Sequence, residues 1–272
     1  MSRSVTPSQG KPPVFRRDGR PILIGHRGGS LEVPENTMAA FRHSRDLGLD
    51  WFELDVRLAS DGPVVCHDEH LRRVAQGNPM TVGHSSLSEL RSVNVGSPVP
   101  SDYAQTQLRE LGLPIPNFGD AFPEERIPTL GEALSLADQI GIMVEMKAGD
   151  YGTALADETV ASIRASGVEE RVLVGSFDVD LIDRVSELAS ELSLIGIVES
   201  GDMIHEMLRR PISVLAVSAE LVELANRLRS PNVALWVWTV RDLGQAAALT
   251  EQGVDGLITD IPKKTRDLIH PR

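Results

Sequence analysis

Cysteine is almost absent: Cys66 is the only one in 272 residues. That excludes an intrachain disulfide and a thiolate metal site, and it is compatible with a reducing compartment. No apolar run approaches the roughly 18 residues that a membrane span needs. The first twenty residues, MSRSVTPSQGKPPVFRRDGR, lack an apolar signal core and read as a loose, flexible arm. Positive charge is also in short supply, with 27 Lys and Arg against 39 Asp and Glu and a net charge of −12. A nucleic-acid binder that depends on a global positive field is excluded, while a local cationic pocket for a phosphate is not. The expected setting is the cytoplasm and the expected partner a small molecule. What is present in quantity is apolar residues, 41% of the chain, enough for a sizeable core. The length suits one large α/β barrel or two smaller domains.

Short apolar runs at 21–25, 51–56, 141–146, 171–175, 192–197, 212–217, 233–238 and 256–259 read as buried strands. Amphipathic stretches lie between them, at 37–47, 130–140, 153–165, 179–192, 203–209, 219–228 and 242–252. Polar caps at their starts and Gly after their ends punctuate the pattern, as in Asp46-Leu47-Gly48. Strand and helix units in alternation imply parallel strands with right-handed crossovers. Eight units over about 250 residues predict a (β/α)8 TIM barrel, with a doubly wound open sheet as the competing arrangement. Residues 68–128 break the rhythm and are rich in Pro, Gly, Ser and Asn. They read as an insertion after strand 2, a lid or small subdomain, with a little helix near 87–93. Because the insertion follows a strand end, it is expected over the barrel mouth, where it would limit the size of the leaving group. An extra short strand is predicted at 63–67, returning from the turn at Ser60-Asp61-Gly62.

Several polar residues stand where core is expected. Glu53 and Asp55 are two apart in WFELDVRLAS, so both point to one face of the second strand. Glu145 and Lys147 repeat the spacing in GIMVEMKAG. Strand ends converge at one mouth of a barrel, and three carboxylates gathered there need a cation or a shared proton. An all-oxygen set suits a hard divalent cation, Mg²⁺ or Ca²⁺. His26 and His67 stand at strand ends as usable proton donors or acceptors, and Arg27 and Lys147 supply positive charge beside the carboxylates. Each residue taken singly has an ordinary role on a barrel rim. Their recurrence at successive strand ends describes phosphoryl chemistry better than carbonyl chemistry.

The stretches GHRGGSLEVPENTMAAF, FELDVRLASDGPVVCHDEHLRR, RIPTLGEAL, VEMKAG, VGSF, VWTV and GVDGLITDIP together resemble the glycerophosphodiester phosphodiesterase family, in the family's order over residues 22 to about 262. The resemblance implies metal ligation by Glu53, Asp55 and Glu145. It implies acid–base roles for His26 and His67, phosphate contacts from Arg27 and Lys147, and an aromatic contact to glycerol from Trp238. Trp236 and Trp238 point one way on one strand, so one is expected in the core and the other at the mouth. The Pro34-Glu35-Asn36-Thr37 turn should start the first helix, with Asn36 or Thr37 as its cap. The chain departs from the family pattern at Arg241, where Asn is common, and at Arg73-Val74-Ala75-Gln76-Gly77. The implied activity is metal-dependent hydrolysis of a glycerophosphodiester to glycerol 3-phosphate and an alcohol. The alternatives are a lysophospholipase D-like enzyme on the same barrel and a catalytically silent barrel that binds phosphodiesters.

Overall fold

The structure, a computed structural model, describes residues 12–271. The chain runs β1 (Ile22–Gly25), α1 (Met38–Asp46), β2 (Trp51–Ala59) and β3 (Gly62–Val65), then the insertion with α2 (Leu87–Arg91) and α3 (Asp102–Glu110). It continues through α4 (Leu130–Leu134), β4 (Gly141–Met146), α5 (Ala154–Ser166), β5 (Val172–Ser176), α6 (Val179–Leu188), β6 (Ser193–Val198) and α7 (Gly201–Met207). It ends with β7 (Ile212–Ser218), α8 (Val222–Leu228), β8 (Ala234–Val240), α9 (Leu243–Glu251), β9 (Gly256–Thr259) and α10 (Pro262–Ile269). Eight parallel strands close on themselves through the β1–β2 and β1–β9 pairs, giving the predicted (β/α)8 barrel. β3 lies outside the ring, antiparallel to the upper half of β2 from Ala59↔Gly62 to Val56↔Val65.

Alternation along each strand builds two cores. Outward residues such as Leu23, Phe52, Leu54, Ile142 and Val144 pack under the helices. Phe41 of α1 stacks on Phe52 with ring centroids 4.5 Å apart. Inward residues, among them Ile24, Trp51, Met143, Ile195 and Trp236, fill the barrel. Trp51 and Trp236 meet edge to face at 5.7 Å near the amino ends of the strands. They fit because Gly141 and Gly256 stand opposite: a Cβ there would lie 2.5 Å from the Trp51 ring and 2.7 Å from the Trp236 ring. The two indole N–H groups donate to the carbonyls of Pro13 at 2.6 Å and Val14 at 2.8 Å. The arm expected over 1–20 is described only from residue 12, and its described part closes this floor.

The insertion has a satellite core of its own, including Leu71, Val74, Val82, Leu90 and Val95, closed against Val64, Cys66 and Ile127. Burial, with Asp68 adding to it, pushes the Cys66 thiol up to about 12, so this residue serves packing. α4 ends six residues short of the expected 140, where Leu136, Ala137 and Gln139 turn to hydrogen bonds three residues back. α3 and α10 lie outside the predicted helices. Ser101 caps α3 by accepting from the Ala104 N–H, and Pro262 opens α10. Among the described residues no helix is long and apolar enough to cross a membrane.

Candidate active site

Two residues above Trp51 the same inward alternation reaches Glu53, and four above it reaches Asp55. Asp55 lies in register with Glu145 on the neighbouring strand. The three carboxylates each offer an oxygen within 4.8 Å of the others, and the residues are 1%, 0% and 7% exposed. Lys147, just past β4, bridges Asp55 at 2.9 Å and Glu145. Arg27, just past β1, donates its backbone N–H to Glu53 Oε2 at 2.8 Å, ion-pairs through Nε with Asp55 at 3.1 Å and donates from Nη1 to Glu35 at 2.9 Å. Its φ of 50° is a strained conformation for a non-glycine residue, held in place by these contacts.

The charges do not balance evenly. Burial pushes the Asp55 carboxyl up, but Lys147 and Arg27 outweigh it and hold Asp55 well below the usual range. Glu53 goes the other way: burial, then Asp55 and Glu145, raise it well above its ordinary value. Glu53 Oε1 is buried with no hydrogen-bond partner among the described residues. A crowded carboxylate with an unpartnered buried oxygen, in an all-oxygen set, fits a hard divalent cation.

Both histidines reach the site. His26 Nδ1 lies 2.5 Å from Asp260 Oδ1, and its Nε2 is 4.0 Å from Glu53. His67 Nδ1 lies 2.7 Å from Asp68 Oδ1. Burial opposes ionisation of both acids, yet His26 and Arg241 around Asp260, and His67 and Arg73 around Asp68, hold them well below the carboxylate range. Ionised carboxylates only accept, so each Nδ1 carries the hydrogen and each Nε2 is left for the cavity. Burial and then Arg27 lower the His67 pKa below its ordinary value.

These groups line one end of a cavity of about 620 Å³. Phe177, Ile197, Glu199, Glu220 and Trp238, at the ends of β5 to β8, also line it, and among the described residues the insertion contributes Ser101. Trp238 meets Phe177 edge to face at 5.5 Å, while Trp236 lies in the barrel core. All eight residues singled out in the sequence therefore lie at one mouth, seven of them lining the cavity and Asp55 within 4.8 Å of two of the seven, Glu53 and Glu145.

Sequence reasoning missed the groups that hold these residues. Asp260 and Asp68 hold the histidines, and Glu35 joins Arg27 to Arg73. Asn36 is not the helix cap. Thr37 caps α1 by accepting from the Ala40 N–H, while Asn36 donates to Asp55 Oδ2 at 2.7 Å and accepts the Asp55 N–H at 3.2 Å. An acidic residue directly after a strand, as in LITDIP and VVCHDE, was the available signal.

A family model described as the glycerophosphoryl diester phosphodiesterase family matches residues 26–264. A glycerophosphodiester phosphodiesterase of Caldanaerobacter subterraneus is 31% identical over 257 residues, covering 91% of this chain and 97% of the relative. One from Bacillus altitudinis is 28% identical, covering 89% and 95%. Among solved structures, an Oleispira antarctica phosphodiesterase in complex with the product sn-glycerol-3-phosphate superposes with a TM-score of 0.75 at 25% identity, covering 92% of this chain and 97% of that one. A Silicibacter pomeroyi protein superposes at 0.78 with 22% identity, covering 94% and 95%, a likeness that bears on the fold alone.

Proposed function

This chain belongs to the glycerophosphoryl diester phosphodiesterase family and is a phosphodiesterase, and on that premise we propose that it splits glycerophosphodiesters into glycerol 3-phosphate and an alcohol, with His26 and His67 as its acid–base pair. The observation that carries this reading is the convergence of two imidazoles, each held at Nδ1 by a carboxylate, on the cavity end where Glu53, Asp55, Glu145, Arg27 and Lys147 meet. The product bound to the Oleispira phosphodiesterase supports the glycerol 3-phosphate half.

Glu53, Asp55 and Glu145 would hold one divalent cation, Mg²⁺ or Ca²⁺, by their oxygens. When bound, the cation supplies Lewis-acid stabilisation of charge on the phosphoryl group. Arg27 and Lys147 place fixed positive charge beside the same oxygens and need no reorganisation as charge develops. One imidazole takes at Nε2 the proton of the attacking hydroxyl, from water or from glycerol C2, as the new P–O bond forms. The other, doubly protonated as imidazolium, gives its Nε2 proton to the departing alcohol oxygen as the old P–O bond breaks and keeps its Nδ1 hydrogen on the carboxylate. Trp238, with Phe177 bracing its ring, offers an apolar face to the glycerol carbons.

A panel of glycerophosphodiesters, with lysophosphatidylcholine as an added arm, tests this by the release of glycerol 3-phosphate with and without Mg²⁺ or Ca²⁺. Metal-dependent release from the soluble diesters is expected. Turnover of lysophosphatidylcholine alone would favour the lysophospholipase D-like alternative, and no turnover of any diester would leave a binding barrel.

A further inference from the structure

Two arginines pair with the carboxylates that hold the two histidines. Arg73 belongs to the insertion. Its Nε and Nη2 donate to Asp68 at 2.8 and 3.1 Å, its Nη1 and Nη2 donate to Glu35 at 2.5 and 2.7 Å, and its Nη1 donates to the Val99 carbonyl at 2.9 Å. Those five bonds use all five guanidinium donors. Asp68 in turn holds His67, and Glu35 holds Arg27. Arg241, just past β8, ion-pairs through Nε with Asp260 Oδ2 at 2.7 Å and donates from Nη1 to Gln107 Oε1 on α3. Asp260 holds His26, with Ser30 Oγ donating to the same oxygen at 2.5 Å. Each histidine thus rests on a carboxylate, each carboxylate on an arginine, and each arginine on the insertion.

We propose that Arg73 and Arg241 are positioning residues through which the insertion sets the orientation of His67 and His26 respectively. This rests on the acid–base reading of the two histidines. The physical reason is the shape of the guanidinium. A planar guanidinium presents donors in several fixed directions, which an ammonium does not: Arg73 holds Asp68 by two of them and still reaches the Val99 carbonyl, and Arg241 meets Asp260 through Nε while Nη1 reaches the Gln107 amide. A rotation of Asp68 or Asp260 would carry the imidazole with it, and a displacement near 1 Å at a reacting nitrogen costs on the order of 10²-fold in rate. The Arg241 arm joins the end of β8 to α3 through Gln107, whereas the Arg73 fork to Asp68 and Val99 closes within its own insertion.

The test is a pair of double-mutant cycles in the full chain. Arg73→Lys and Arg241→Lys keep the charge and lose the fork, so the buried carboxylates keep a counter-ion and folding is retained. Each should lower kcat by about 10-fold with a smaller change in KM. In the His67→Ala background Arg73→Lys should then have almost no further effect, while in the His26→Ala background it should keep its full factor. Arg241→Lys should show the reverse pattern. Full multiplicative losses in all four combinations would overturn the proposal, as would a kcat unchanged in both lysine variants. A second readout needs no turnover. Imidazole ¹⁵N spectra should show the Nδ1–H tautomer at both histidines in the parent, lost at His67 alone in Arg73→Lys and at His26 alone in Arg241→Lys. Unchanged imidazole signals in both variants would also overturn it, and failure of the parent to hydrolyse any diester would fault the functional reading while leaving this spectroscopic outcome decisive.

Discussion

The floor and the mouth of the barrel are made by the same inward positions of the same strands, yet their chemistry is opposite. At the floor, Trp51 and Trp236 fill the space and give their only polar atoms to two neutral carbonyls. Two and four residues further along β2, Glu53 and Asp55 occupy equivalent inward positions; Lys147 and Arg27 favour the charge on Asp55, whereas burial, Asp55 and Glu145 disfavour the charge on Glu53. The floor is complete as it stands, with each polar group satisfied and the space closed by glycines. The mouth gathers three buried carboxylates that could hold a metal ion. The contrast predicts that stability and reactivity can be perturbed separately.

The largest effect is expected at the mouth. Glu53→Gln should lower kcat/KM by about 10³-fold or more, because it removes one of the three carboxylates of the cation site. The metal-free protein should melt no lower than the parent, since one buried, mutually repelling charge has gone. Turnover against Mg²⁺ or Ca²⁺ concentration and a thermal melt without metal check both halves. Trp236→Ala is the converse experiment at the floor. It should destabilise the fold by about 3–5 kcal/mol through the cavity it leaves, while the folded fraction keeps kcat within a few-fold. A large loss of kcat per folded molecule, read by denaturant melts beside active-site titration, would break the separation.

Smaller effects follow. His26→Ala and His67→Ala should each lower kcat by roughly 10²-fold with the melt little changed, and near-native kcat at saturating substrate would remove that histidine from the acid–base pair. The smallest effect sharpens the comparison within the mouth itself. The rest of the cavity lining includes Phe177, Ile197, Glu199, Glu220 and Trp238, and among the described residues Ser101 is the one from the insertion. Phe177→Ala should therefore alter the preference among alcohol groups several-fold, and Ser101→Ala should leave it nearly unchanged. Relative kcat/KM values over choline, ethanolamine and glycerol diesters measure this. A stronger effect from Ser101→Ala would return selectivity to the insertion.

Periodicity gave the barrel strands to within three residues and the inward pair Glu53 and Asp55 of the acidic cluster by spacing, since a two-residue interval fixes a shared face whatever surrounds it. The same spacing puts Trp236 and Trp238 on one face, and it is the structure that places Trp236 in the barrel core and Trp238 at the cavity. Periodicity failed where order is not periodic. α3 lies in a segment whose composition suggests loop, and only its Ser101 cap and the buried Ala104 and Leu108 mark it as helix. Asn36 resembles a helix cap in sequence, and its true partner, Asp55, is nineteen residues away.

By itself, then, the sequence determined the strand faces, the inward carboxylates, the strand-end histidines and the single thiol, because each depends on local spacing or on residue type. Only the tertiary structure decided that Asp260 holds His26, that Arg73 links Asp68, Glu35 and Val99, and that Arg241 reaches Gln107. Asp260 and His26 are 234 residues apart and meet because the ring closes through β1 and β9. No local rule carries that contact. It exists only once eight parallel strands have been wound into a barrel and their ends brought to one rim.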